Sequence, residues 1–208
     1  MKDIKWIFFD LGSTLIDETE AYKLRVLECI EGSNITFEEF DKMRKKLAHD
    51  NINCGDIDTA KFYGLQLKPW RNDVEYPYTD AKTVLETLKA RGYNLGVVAN
   101  QGKGTKDRLK KWDLIDYFDF VLASFEEGVS KPDKEIFLRA IKCANEDSSK
   151  CVMIGDRLDN DILPAKKLGL KTIFIKHGVV APYQEVFSDE YQPDLTVYSL
   201  LDLLEIFK

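Results

Sequence analysis

Histidine is almost missing from this 208-residue chain, which has only His49 and His177. A transition-metal centre built on imidazoles is therefore excluded, and a resident cation has to be held by oxygen, with magnesium the natural candidate. The four cysteines, Cys29, Cys54, Cys143 and Cys151, form no CxxC pair, a pattern that suits reduced packing thiols rather than a zinc site or a disulfide framework. Long apolar runs are missing too. The first, Trp6-Ile7-Phe8-Phe9, stops at Asp10, too soon for a signal peptide or a membrane span, so a cytoplasmic chain with no membrane partner is expected. Basic residues form no stripe, and a formal net charge of -6 repels a polyanion, so nucleic acid is not the expected partner.

What is present is a regular alternation interrupted once. Apolar spacing predicts helices at about 18–30, 37–48 and 58–67, the second opened by a capping box of Thr36 and Glu39. From residue 79 onward helices and strands alternate: helix 80–90, strand 95–99, helix 105–111, strand 118–123, helix 133–144, strand 151–155, helix 160–168, strand 171–175. An edge strand at 195–198 and a helix at 200–207 close the chain. Such alternation implies right-handed crossovers, and the strands read as continuous apolar runs buried on both faces. The expected fold is α/β, a doubly wound parallel sheet formed by 1–15 and 79–208, with 16–78 as an all-helical insertion.

Polar residues sit where these strands end. Asp10 follows the first strand and precedes the turn Leu11-Gly12-Ser13. In open parallel sheets ligands bind outside the carboxyl ends of the strands, and an aspartate there can hold a cation, attack a phosphoryl group, or do both. Taken alone, it also suits a turn cap. A second acidic cluster, Asp156-Arg157-Leu158-Asp159-Asn160-Asp161, follows strand 151–155. Asn100-Gln101-Gly102 follows strand 95–99 and opens a short helix whose amides suit phosphoryl oxygens. Lys131-Pro132-Asp133 comes after strand 118–123.

Asp, Asn, Lys and Asp in that order, each just past a strand, resemble the four motifs of the haloacid dehalogenase-like hydrolases, most of which are magnesium-dependent phosphatases. Phe9 to Asp17 resembles that family's first motif and Ser130 to Phe137 its third. The resemblance implies that Asp10 is a nucleophile forming an aspartyl-phosphate and that Lys131 neutralises the nucleophile and the transferred charge. It also implies that Thr14, Asn100 and Gln101 bind a small phosphorylated substrate. Mg2+ would be held by Asp10, the Gly12 carbonyl and Asp156, with Asp161 holding a metal-bound water. The insertion 16–78 would be the family's helical cap, and the protein a monomer or homodimer.

Two departures stand out against the family pattern. Gly12 occupies the position of the usual acid/base aspartate, and Ala99 that of the second motif's hydroxyl residue. General acid–base help is worth roughly 10² to 10⁴ in rate, and one oxyanion donor about 10² to 10³. Against accelerations approaching ~10²¹ for phosphate-monoester hydrolysis, catalysis is impaired rather than abolished. A water, Ser13, Gln101 or a cap residue is expected to relay protons, and aryl or acyl phosphates are the expected favourites. The competing readings are a phosphate-binding regulatory protein of the same fold and a hydrolytic dehalogenase.

Overall fold

The computed structural model describes residues 1, 3–51, 53–186 and 188–208. Its main sheet contains β1 (Trp6–Phe9), β2 (Asn94–Ala99), β3 (Phe120–Ala123), β4 (Cys151–Gly155), β5 (Lys171–Ile175) and β6 (Leu195–Val197). All neighbours pair in parallel, in the order β3-β2-β1-β4-β5-β6. Strand β1 lies at the centre, with Phe9 in register with Val97 on one side and Ile154 on the other.

Side chains of successive strand residues point to opposite faces, and β1 feeds two apolar layers accordingly. Ile7 and Phe9 pack with Val84, Leu85 and Leu88 of the helix Ala81–Ala90, and with Leu203 of the closing helix Leu203–Ile206. Phe8 faces the other layer, against Ile136, Phe137 and Ala140 of the helix Lys134–Ala144. All three residues are fully buried, each removal from water stabilising the fold by roughly 1.5–3 kcal/mol. Coverage on both sides is why these strands lack a polar face.

Three helices interrupt the alternation between β1 and β2: α1 (Thr19–Ile30), α2 (Phe37–Asn51) and α3 (Asp56–Phe62). They share an apolar cluster of their own, with Tyr22, Val26 and Cys29 from α1, Phe40 from α2 and Ala60 from α3. The capping box is formed: the Glu39 amide donates to Thr36 Oγ1 at 3.2 Å, and the Thr36 amide to Glu39 Oε2 at 2.9 Å. Helix α3 is shorter than its spacing predicts. It stops before Tyr63-Gly64, where Gly64 takes φ +67° and its amide returns to the Lys61 carbonyl, a left-handed ending that glycine makes without strain.

At the neck of the insertion, Ile16–Asp17 pairs antiparallel with Tyr76–Pro77, a two-residue bridge with no readable period. The helix expected at 160–168 begins instead with a π-helical turn, Leu158–Ile162, before Leu163–Lys167. The four cysteines are free thiols. No helix among the described residues is long and apolar enough to cross a membrane.

Candidate active site

The strand order reverses direction between β1 and β4, and a crevice opens at such a switch point, outside the carboxyl ends of the strands. Asp10 leaves β1 there, its amide donating to the Ile154 carbonyl of β4 at 2.9 Å. Asp156 leaves β4, and Asp161 comes back from the π-helical turn. Each of the three offers an oxygen, and these oxygens lie within 4.8 Å of one another. Glycine at 155 permits the approach: a Cβ there would lie 2.3 Å from Asp161 Oδ2.

Lys131 reaches the same point from the loop before Lys134–Ala144. Its ammonium donates to Asp10 Oδ1 at 2.5 Å and to Asp161 Oδ1 at 2.6 Å, with only 2% of its side chain exposed. Burial pulls this lysine down, but Asp10 and Asp161 outweigh it and hold the ammonium above its ordinary range. The second oxygen of Asp161 accepts from the Arg157 amide at 3.0 Å. Asp156 accepts no hydrogen bond among the described residues; burial, with Asp10 and Asp161 adding their charge, holds it well above the usual carboxylate range. Burial also raises Asp161, against the Lys131 ammonium.

The residues expected to bind substrate divide. Asn100 lines the cavity but uses its side chain to clamp Lys131, with Nδ2 donating to the Lys131 carbonyl and Oδ1 accepting from its amide, both at 2.8 Å. Gln101 lines it too, with its amide donating to Ser124 Oγ at 3.1 Å and its side-chain oxygen accepting from Arg108 Nη2 at 2.6 Å. Thr14 does not line the cavity. It is fully buried, and its hydroxyl has no partner among the described residues.

One residue on the cavity wall was not foreseen. A Cβ at Gly12 would lie 2.3 Å from Glu18 Oε1, so the Glu18 carboxyl fills the space that a side chain at position 12 would take. Ser13 Oγ donates to Glu18 Oε2 at 3.0 Å. Burial, followed by the charges of Glu75 and Asp10, pushes Glu18 up to about 8, with the Ser13 bond opposing. The turn that returns Glu18 is closed by the amides of Leu15 and Ile16, both donating to the Leu11 carbonyl at 2.9 Å. In the sequence Glu18 reads only as the first residue of a helix.

The cavity above this cluster has a volume of about 390 Å³, and its far wall is supplied by the insertion through Tyr22, Arg25, Arg44, Asp56 and Trp70. None of these residues was singled out by their spacing, which gives a helix face without telling what the face looks at.

Residues 4–169 match the haloacid dehalogenase-like hydrolase family. The chain is 32% identical to the glyceraldehyde 3-phosphate phosphatase of Methanocaldococcus jannaschii, an alignment covering 99% of this chain and 97% of that protein. It is 27% identical to the phosphoglycolate phosphatase of Aquifex aeolicus, over 96% of this chain and 95% of that one. The crystal structure of an HAD phosphatase from Thermococcus onnurineus superposes with a TM-score of 0.65 at 23% identity, over 98% and 97% of the two chains.

Proposed function

The chain belongs to the haloacid dehalogenase-like hydrolases, and on that premise we propose that it is a magnesium-dependent phosphatase of a small phosphorylated metabolite, acting through an aspartyl-phosphate on Asp10. The observation that carries this reading is the meeting of three carboxylates with a single buried ammonium at the sheet's switch point. Names of relatives that hydrolyse phosphate esters support it.

The donor set fits a hard divalent cation. Three carboxylates gather on one lysine, with the Arg157 charge opposing them from the same turn, and Asp156 accepts no hydrogen bond among the described residues. Oxygen ligands with room for waters are what magnesium requires. Asp10, the Gly12 carbonyl and Asp156 would hold it, with Asp161 through a water. When bound, it shields the approach of one anion to another and polarises the phosphoryl oxygens.

The chain's own groups then divide the work. An Asp10 carboxylate oxygen attacks phosphorus as the bond to the leaving oxygen breaks. Lys131 is held by Asp10, Asp161 and the Asn100 clamp, so its charge is already oriented when negative charge builds on the phosphoryl group. Glu18, protonated at Oε1 or Oε2, gives its proton to the leaving oxygen. As a carboxylate it then takes a proton from the water that cleaves the aspartyl-phosphate, and the cycle closes. Glu18 thus fills the gap left by Gly12, and the preference for good leaving groups becomes a property expected of the protein without Glu18. The helical insertion acts as the cap that closes the cavity and excludes water.

Hydrolysis of an aryl phosphate with added Mg2+ tests the reading. Activity abolished both by a chelator and by Asp10→Asn is the expected result; chelator-resistant activity, or halide release from a haloacid in its place, overturns it.

A further inference from the structure

Arg108 does not line the cavity, but it grips a side chain that does. It stands on the core helix Thr105–Lys111, just past the Asn100-Gln101-Gly102 loop, with 16% of its side chain exposed. Its Nη2 donates to Gln101 Oε1 at 2.6 Å and its Nη1 to the Lys103 carbonyl at 3.4 Å, while its Nε is buried with no hydrogen-bond partner among the described residues. The bond to Gln101 is the shorter of the two. The fully buried carboxylate of Glu75 faces the guanidinium, Oε2 lying 3.7 Å from Nε, and is itself fixed by Trp70 Nε1 at 2.6 Å. A guanidinium only donates, so the amide oxygen of Gln101 has to face Arg108 and the NH2 group has to face away from it. That Nε2 has no partner among the described residues and, unlike Arg108 Nε, is not sealed from solvent.

We propose, relying on the phosphatase reading for the reaction, that Arg108 is a positioning residue: it fixes the Gln101 side chain so that Nε2 donates to an oxygen of the phosphoryl group. Position 101 has no other donor to give, because its main-chain amide is taken by Ser124 Oγ. Its neighbours on the wall do not replace it. Ala99, at the end of β2, brings no hydroxyl to this edge, and Asn100 spends its side chain on the Lys131 backbone. An unheld glutamine amide would present its oxygen as readily as its nitrogen, and an oxygen facing a phosphoryl oxygen repels it. The charge-assisted bond from Arg108 removes that second orientation, and the buried Glu75 carboxylate holds the guanidinium in place to do so.

The test follows kcat/KM on an aryl phosphate with Mg2+, the affinity for inorganic phosphate by calorimetry, and Tm. Gln101→Leu removes the donor and should lower kcat/KM by roughly 10- to 100-fold, the span of one hydrogen bond to a charged group. Arg108→Met, which releases the amide, should lower it less, and Arg108→Lys, which keeps a donor for Oε1, should recover part of that loss. In the Gln101→Leu background Arg108→Met should change little, since it acts through Gln101. Losses that multiply instead overturn the positioning role, because an arginine acting by its charge alone, or by holding the fold, would still be felt. Gln101→Glu separates support from donation: its carboxylate keeps the bond to Arg108, and with it the Tm, yet offers no donor, so kcat/KM and phosphate affinity should both fall. Unchanged kcat/KM and phosphate affinity in Gln101→Leu and Gln101→Glu overturn the proposal, even if Arg108→Met fails to fold. If the wild type hydrolyses no ester, the phosphatase reading falls and phosphate binding alone decides: affinity that drops in Gln101→Leu supports the Gln101 donor, and equal or absent binding overturns it.

Discussion

The two walls of the cavity carry charge in different ways. At the sheet edge Asp10, Lys131 and Asp161 come from three separate parts of the chain, are nearly excluded from water, and interlock in one network. On the insertion wall Arg25 pairs with Asp56 at 2.7 Å, and Arg44 leans on Asp41, one helical turn away on the same helix, and on the Tyr22 ring. At the first wall groups from distant parts of the chain meet, and Asp156 there accepts no hydrogen bond among the described residues. The second is held largely by contacts within the insertion. On the proposed reading, reaction chemistry belongs to strand ends fixed by the sheet, and closure of the cavity to helix faces that a different insertion could replace.

Substitutions should separate the two walls. The largest loss is expected at the sheet edge: Asp10→Asn should lower kcat for every ester by about 10⁴-fold or more, as loss of a nucleophile does, and steady-state kinetics on an aryl and an alkyl phosphate would check it. Next in size is Glu18→Gln, with a fall of roughly 10² to 10⁴ on alkyl phosphates and a smaller one on aryl phosphates, whose leaving oxygen has less need of a proton. Combining Gly12→Asp with Glu18→Ala should recover part of the activity that Glu18→Ala alone loses, because truncation at 18 empties the space where the new carboxylate would sit. A uniform fall across leaving groups would count against Glu18 as proton donor.

Gly155→Ala is expected to have a smaller effect. Its Cβ would press on the Asp161 carboxylate at 2.3 Å, and overpacking of this kind destabilises by roughly 1–3 kcal/mol, visible in the denaturant midpoint along with a weaker hold on Lys131. The smallest effect is in pH dependence. Glu18 is raised from 4.5 to about 8, so the stability linked to its protonated form is full below about 4.5 and lost as pH climbs through about 8. The cation-free wild type should therefore lose Tm relative to Glu18→Gln, which cannot ionise, between pH 5 and 9. Asp156 and Asp161 are raised as well, so protons compete with the cation and its affinity should weaken as pH falls. Parallel Tm curves for the two proteins would remove the pH argument.

Legibility in the sequence follows the same division. The runs ending at Phe9, Ala99, Ala123 and Gly155 declare doubly buried strands, and the residue just past each of the runs at Phe9, Ala99 and Gly155 lies on the ligand edge without further information. Lys131 and Asp161 sit further along, and their motif context picked them out. Glu18 was invisible because its position depends on a turn folding back over a glycine, and Asp17, one residue earlier, instead caps the Thr19 amide at 2.9 Å. Arg25 and Arg44 were invisible because helical spacing orders faces relative to one another and not relative to a cavity. Thr14 is a substrate contact by its motif, yet it is fully buried and does not line the cavity. Asn100 is a substrate ligand by its motif; it lines the cavity, and its side chain bonds the Lys131 backbone, a contact the motif does not announce.

The most direct measurement is mass spectrometry of the protein quenched in acid during turnover of an aryl phosphate. A phosphoryl group on the peptide containing Asp10, formed with Mg2+ and absent after chelation, is the predicted result. Turnover with the phosphoryl group on another residue, or its appearance regardless of cation, would contradict the account.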